Sequence, residues 1–304
     1  MNKAIERALK AITNIQPDLK KTYKLQRKID SIRKYSILRA ACTEGEIFVP
    51  GEAGNIKVRV SIPDRINEKR MLIVFFHGGG WVTGDIDSYS RVCAATSLYT
   101  GAFVASVDYR LAPENKFPDG LNDCYTAVKY FIEKASVLYM VPQENVILMG
   151  DSAGGNLAAA VSLMLRDNKD FVPRKQILIY PATYNDHSDK SPYRSVSENG
   201  EDYILTAQRV RDYMDLYMRD EKDIMNPYFA PLLADDLTNQ PDTLIITSEL
   251  DPLRDEGEAY GEALRKAGNR VFIYRMMETI HGFFSLNPAI KPVKKAYKII
   301  NAFI

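Results

Sequence analysis

The sequence predicts an α/β fold organised around a mostly parallel sheet. Three observations predict it. Apolar runs such as Met71–Phe76 and Ala102–Val107 are continuous, as strands buried on both faces should be. Stretches of helical character separate these runs, and strands alternating with helices indicate βαβ units. The length of 304 residues allows one large domain of this kind or two ordinary ones, and the alternation is read here as one domain over 1–304.

The elements follow in order. Glu46–Pro50 and Lys57–Ile62 read as short strands joined by the turn Gly51–Gly54. Their brief connection predicts an antiparallel edge. Met71–Phe76 and Ala102–Val107 come next, then a helix after Pro118. Strand Val146–Met149, helix Ala153–Arg166 and strand Gln176–Tyr180 follow. Strand Thr243–Thr247, helix Glu256–Ala267 and strand Val271–Met276 complete the pattern. Two regions break it. One is the helical N-terminus, residues 1–42. The other is about 183–226, with Val210, Tyr213, Met214, Tyr217 and Met218 at helical spacing. Both are candidates for a helical cap over a site.

Gly150-Asp151-Ser152-Ala153-Gly154 lies between a strand and a helix, which is the setting G-x-S-x-G requires. A serine exposed on such a sharp turn is strained, and glycines on either side let neighbouring segments close on it. The helix start places the Ala153 N–H and the positive dipole end near the reacting carbonyl. The bland alternative is a Gly-rich turn with Ser152 as an N-cap.

His77-Gly78-Gly79-Gly80-Trp81 follows the strand ending at Phe76. Consecutive glycines suit neither helix nor strand, but they allow bare N–H groups to converge on one point. Acyl transfer needs such donors for the oxygen that becomes negative. The expected donors are the Gly78, Gly79 and Ala153 N–H groups. His77, Gly80 and Asp151 are supporting residues. Trp81 is either an acyl-pocket wall or plain core. A phosphate loop is not indicated, because no G-K-[ST] or strand-linked G-x-G-x-x-G is present.

The chain has three histidines, His77, His187 and His281. With G-x-S-x-G the order runs Ser, then acid, then His. His281 fits that order: His77 precedes the serine, and His187 leaves no strand-end acid before it. The acid is Asp251 or Asp255. Asp251 lies just past a strand, at the edge where α/β sheets bind ligands. Asp255 and Glu258 form a D-x-x-E pattern that reads as a helix cap. Asp251 is therefore expected to orient His281, which takes the Ser152 proton.

With these residues in view, the chain resembles the hormone-sensitive-lipase group of α/β-hydrolases, particularly its bacterial esterases. The resemblance rests on His77–Trp81, Asp108–Glu114, Gly150–Asn156, Asp251–Gly257 and His281–Phe284. It implies an α/β-hydrolase fold with a mostly parallel eight-stranded sheet flanked by helices. It also implies a serine carboxylesterase for short acyl esters that needs no metal or cofactor, with a cap drawn from the two irregular regions. Within Asp108–Glu114, Arg110 and Glu114 are expected to pair and fix a loop near the glycine run. An amidase or deacetylase would use the same triad. A small-molecule-binding protein of this fold is the other alternative, but a plant hormone receptor of the group lacks the catalytic His that is present here.

Composition narrows the partners. Net charge is +1, which argues against a nucleic-acid binder. Residues 1–40 nevertheless hold eleven Lys/Arg against three Asp/Glu. Interleaving with polar residues makes this a solvated helical face rather than a lipid anchor. No apolar run suits a signal peptide or a membrane span. Cys42, Cys93 and Cys124 have no metal-like spacing, and their sparse count fits a reducing, cytoplasmic setting. An exposed final strand would offer an edge for a homodimer.

Overall fold

A computed structural model of the chain describes residues 10, 11, 13, 17–32 and 42–304. Strands β1 (Cys42–Gly51) and β2 (Gly54–Pro63) form an antiparallel hairpin that closes at Gly51 and Gly54. β3 (Leu72–Phe76), helix α2 (Ser90–Thr100), β4 (Phe103–Val107) and α3 (Asp119–Tyr139) come next. They are followed by β5 (Val146–Asp151), α4 (Ala153–Asp167) and β6 (Lys175–Ile179). β7 (Asp242–Leu250), α7 (Arg254–Lys266), β8 (Val271–Ile280) and α8 (Lys291–Phe303) complete the body. The eight strands lie in the order β1-β2-β4-β3-β5-β6-β7-β8. β2 pairs antiparallel with β4, and every pair from β4 to β8 is parallel.

The continuous apolar runs are explained by burial on both faces. Leu72, Val74 and Phe76 of β3 enter the core shared with α3, α4 and α7. Ile73 and Phe75 point the other way, into the core shared with α2 and α8. A strand with a period of two places alternate residues in opposite layers, so both must be apolar.

Two segments lie outside this alternation. Of the basic N-terminal stretch, α1 (Leu19–Ile32) is described, and its Leu19 is buried. Residues 33–41 lie outside the described residues. Between β6 and β7 come the short α5 (Arg194–Asn199) and α6 (Ala207–Tyr217). Thr206 caps α6 by accepting the Arg209 N–H. The α6 residues Val210, Met214 and Tyr217 are buried, whereas Met218 falls just past its end. Among the described residues, no helix is long and apolar enough to cross a membrane.

Candidate active site

Three strand ends converge. Ser152 follows β5 directly, Asp251 follows β7, and His281 follows β8. Ser152 Oγ lies 2.8 Å from His281 Nε2, and His281 Nδ1 lies 2.7 Å from Asp251 Oδ2. A carboxylate can only accept, so Nδ1 carries the proton and Nε2 is left to accept from the serine hydroxyl. The second Asp251 oxygen, Oδ1, accepts the Leu253 N–H at 2.9 Å. Both carboxylate oxygens are thus engaged in a fully buried side chain, which fixes the ring it faces.

Ser152 sits at φ 57°, ψ −121°. That conformation is strained for a residue with a side chain. It persists because its surroundings leave no alternative. The Ser152 N–H donates to the Ile179 carbonyl at 2.8 Å. A Cβ on Gly150 would stand 2.1 Å from the Gly154 carbonyl oxygen, and one on Gly154 would stand 2.0 Å from that of Phe76. The two glycines are therefore required by the close approach of backbone on either side of the serine.

The glycine loop departs from expectation at one position. The Gly78 N–H donates to Asp151 Oδ1 at 2.9 Å and does not face the cavity. It is already committed, so it is no donor to a ligand. Gly79, Gly80 and Ala153 do line the cavity beside Ser152. Their N–H groups have no acceptor among the described residues. His77 is fully buried, and burial pushes its pKa down to about 4. Its ring is therefore neutral. Nδ1–H donates to the Gly78 carbonyl at 2.8 Å, and the ring stacks on Tyr109 with centroids 4.3 Å apart. Trp81 turns out to be both core and wall. It is 4% exposed and stacks on Tyr217 of α6 at 4.6 Å, yet it borders the cavity.

Asp151 ties the loop to the serine turn. Besides Gly78, it accepts from the hydroxyls of Tyr89 at 3.0 Å and Tyr180 at 3.3 Å. Burial raises its pKa to about 6, although those donors and the nearby His281 oppose the rise. The folded pKa lies above the usual carboxylate value. The unfolded chain therefore releases this proton first, and folding becomes costlier as pH climbs from about 4 to about 6. Above that window the cost is constant, at about 3 kcal/mol. Asp151→Asn keeps an oxygen for the Gly78 N–H and removes the buried charge. Urea unfolding should find this variant at least as stable as the parent at pH 7.5, with the difference shrinking towards pH 4.5. Parallel stability curves for the two proteins would contradict the account.

Two further expectations are corrected. Arg110 does not pair with Glu114. It grips Asp123 through Nε and Nη2, each at 2.8 Å, while Glu114 receives Arg27 from α1 at 2.9 Å. The bidentate fork of a carboxylate on the α3 face outcompetes a partner four residues along a loop. Nor does Asp255 cap α7, whose N-cap residue Leu253 has no side-chain cap. Asp255 Oδ2 instead accepts the Ser195 N–H of α5 at 2.8 Å. Glu258 turns to Thr247 and Arg275.

Sequence reasoning missed the carboxylate of Glu256. It is fully buried and accepts the N–H groups of Thr183 and Tyr184 at 2.7 and 3.1 Å. It also meets His187 Nε2 at 2.5 Å. These bonds fasten the start of the β6–β7 segment to the turn that carries Asp251. A glutamate directly after the Asp251–Asp255 turn was visible in the sequence, but its burial was not.

The site opens on a cavity of about 500 Å³. Pro17 and Gln26 of the N-terminal segment line it, as do Ile204, Leu205, Arg209, Val210 and Tyr213 of the β6–β7 segment. Tyr213 lies over the glycine loop, since a Cβ on Gly80 would meet its ring at 2.2 Å. A hydroxyl hydrogen-bonded to an imidazole nitrogen can attack a carbonyl, and the unengaged backbone N–H groups beside it can hold the resulting oxyanion. Among the described residues, no cluster of His, Cys, Asp and Glu could hold a metal.

Residues 73–285 match the family model described as the alpha/beta hydrolase fold. The chain is 38% identical over 242 residues to an arylesterase of Saccharolobus solfataricus, covering 77% of each protein. It is 37% identical to the carboxylic ester hydrolase LipN of Mycobacterium tuberculosis, over 79% of this chain and 64% of that one. The solved structure of a hyperthermophilic esterase from Pyrobaculum calidifontis superimposes with a TM-score of 0.88 at 35% identity, covering 99% of this chain and 97% of that one. With its fold, its strand-end site and this likeness together, the chain belongs to the α/β-hydrolase family, among the ester hydrolases of the hormone-sensitive-lipase-like group.

Proposed function

We propose that the protein is a serine carboxylesterase that hydrolyses short-chain acyl esters through an acyl-enzyme. The observation that carries this reading is the unbroken relay Ser152–His281–Asp251, with contacts of 2.8 and 2.7 Å, facing a cavity beside unengaged N–H groups. Ser152 is the nucleophile. His281 accepts its proton as Oγ bonds to the ester carbonyl carbon, and Asp251 stabilises the imidazolium. The carbonyl oxygen takes the negative charge and is met by the N–H groups of Gly79, Gly80 and Ala153. Collapse of the tetrahedral intermediate breaks the bond to the alcohol oxygen, which leaves with the His281 proton. Water, deprotonated by His281, then attacks the acyl-enzyme, and the acid departs as Ser152 is reprotonated.

The N-terminal segment and the β6–β7 segment act as a cap over one domain. Tyr213, Leu205 and Val210 on one side and Trp81 on the other support a preference for small acyl groups. A cavity of about 500 Å³ sits in the lower half of the ~300–1,000 Å³ usual for small-ligand sites. The names of the similar proteins, arylesterase and carboxylic ester hydrolase, favour an ester over an amide.

The test is a panel of p-nitrophenyl esters from acetyl to palmitoyl, with the matching anilides. We expect kcat/KM to peak at acetyl or butyryl and to fall at least about 10-fold by the longest chains, as each misfit methylene forfeits ~1–3 kcal/mol. Faster palmitoyl than butyryl hydrolysis would overturn the assignment of acyl length. Anilides cleaved as fast as esters would overturn the ester assignment.

A further inference from the structure

We propose that Arg27 is a positioning residue that holds the glycine loop from outside, so that docking of α1 sets the geometry of the oxyanion donors. The inference rests on the esterase reading above, and it concerns a residue that no sequence motif of the site contains.

The guanidinium reaches three targets on two segments. Nε donates to the Val82 carbonyl at 2.6 Å, and Nη2 donates to the Ala112 carbonyl at 2.6 Å. Nη1 and Nη2 also meet the two Glu114 oxygens at 3.2 and 2.9 Å. Tyr23, one turn earlier on α1, donates to Glu114 at 3.4 Å, and its ring lies 5.0 Å from the guanidinium carbon. Only arginine offers enough donors in a planar fork to satisfy this set; lysine offers a single point of attachment.

Val82 is the telling partner. It lies two residues beyond Gly80, and the turn it belongs to closes on Gly79. The N–H groups of Val82 and Thr83 both donate to the Gly79 carbonyl, at 3.2 and 2.9 Å. The Ala112 N–H donates to the Trp81 carbonyl at 2.9 Å, so the second carbonyl under Arg27 belongs to a segment already laced to this loop. The loop is thus held at both ends. Asp151 holds Gly78 from the serine side, and Arg27 holds Val82 from the helix side. Gly79 and Gly80, at φ 120° and 61°, lie between the two anchors. Glycines leave such a loop soft, so its shape depends on what grips its ends.

The same helix supplies part of the cavity wall. Gln26 borders the cavity, and Lys20 joins α1 to α6 by an ion pair with Asp215 at 2.7 Å. Losing Arg27 should therefore act on two constants. Freeing α1 changes the wall and raises KM. Releasing Val82 lets the Gly79 and Gly80 N–H groups drift and lowers kcat. The Lys20 pair touches α6 and not the loop, so breaking it should leave kcat alone.

The experiment compares Arg27→Met, Arg27→Lys, Glu114→Gln and Lys20→Met with the parent protein on p-nitrophenyl acetate. Affinity for an alkyl trifluoromethyl ketone is measured alongside, because its hemiketal oxygen occupies the oxyanion position. For Arg27→Met we expect kcat to fall at least about 10-fold, short of the ~10²–10³ lost with an entire oxyanion donor. Ketone affinity should weaken by a similar factor. Arg27→Lys should recover part of kcat. Glu114→Gln keeps both carbonyl bonds and should cost about two- to threefold. Lys20→Met should stay within about twofold in kcat. An Arg27→Met protein with raised KM but unchanged kcat and ketone affinity would overturn the proposal, leaving α1 as a wall alone. Equal losses in Arg27→Met and Lys20→Met would overturn it too. Should Arg27→Met fail to fold, the ordering Arg27→Lys below Glu114→Gln in kcat decides, and the reverse ordering refutes it. Activity in the parent and its loss with Ser152 test the esterase reading separately.

Discussion

Ser152→Ala should lose at least about 10³-fold in kcat on p-nitrophenyl butyrate, with little change in thermal stability. The change removes the atom that forms the acyl-enzyme in the proposed mechanism. It leaves the Gly79, Gly80 and Ala153 N–H groups in place, so turnover about 10³–10⁴-fold above the uncatalysed rate should persist. The backbone bond from Ser152 N–H to Ile179 does not involve the side chain, and alanine meets the same strain at φ 57°. Loss of rate and loss of fold are therefore separable here. Steady-state kinetics together with a melting curve read both. Turnover equal to that of the parent would mean that another group performs the chemistry, and the relay to His281 would then be incidental.

Glu256→Ala should destabilise the protein by about 3–5 kcal/mol, the range for removing one partner from a buried hydrogen-bonded pair. The carboxylate receives the Thr183 and Tyr184 N–H groups and His187 Nε2, and it is fully buried. Alanine strands all of these donors at once, and each unsatisfied buried group costs about 1–3 kcal/mol. The loss should reach catalysis as well. Glu256 opens α7 directly behind the Asp251 turn, and Ser195 of α5 bonds that same turn through the Pro252 carbonyl at 2.8 Å. Glu256→Gln retains an oxygen for the two backbone donors, so it should cost under about 2 kcal/mol. Urea unfolding measures the difference. An alanine variant within about 1 kcal/mol of the parent would show that the β6–β7 segment is held elsewhere.

The strands were the most legible part of the chain. β3, β4, β5 and β7 are continuous apolar runs because both of their faces are covered, and the sequence-based limits differ from the observed ones mainly at the ends. β8 extends four residues beyond the expected Met276, to Ile280. Its outer residues Tyr274, Arg275 and Met277 are exposed, so no apolar periodicity marks where it stops. The order of Ser152, Asp251 and His281 could be read because each stands directly behind a strand, where chain order and spatial order coincide.

Side-chain partners were less legible, and the reason is geometric. Reading along the chain paired Arg110 with Glu114 and made Asp255 a cap, since both pictures use neighbours in sequence. The folded chain offers Arg110 a carboxylate thirteen residues away and offers Asp255 an N–H sixty residues away. The role of Gly78 was misread for the same cause. A glycine run announces available N–H groups but not which of them a buried aspartate will claim.

What the sequence alone determined is the parallel sheet, the serine on its strand-to-helix turn, and the acid and histidine that follow in order. These depend on local periodicity and on residue types with few substitutes. Only the tertiary structure decided that Asp151 takes Gly78, that Glu256 secures the β6–β7 segment, and that Arg27 grips the far end of the glycine loop. Each of those joins groups separated by 55 to 73 residues. A hydrogen bond between distant segments leaves no period in the sequence, because it is set by how the layers pack and not by the chain's own repeat.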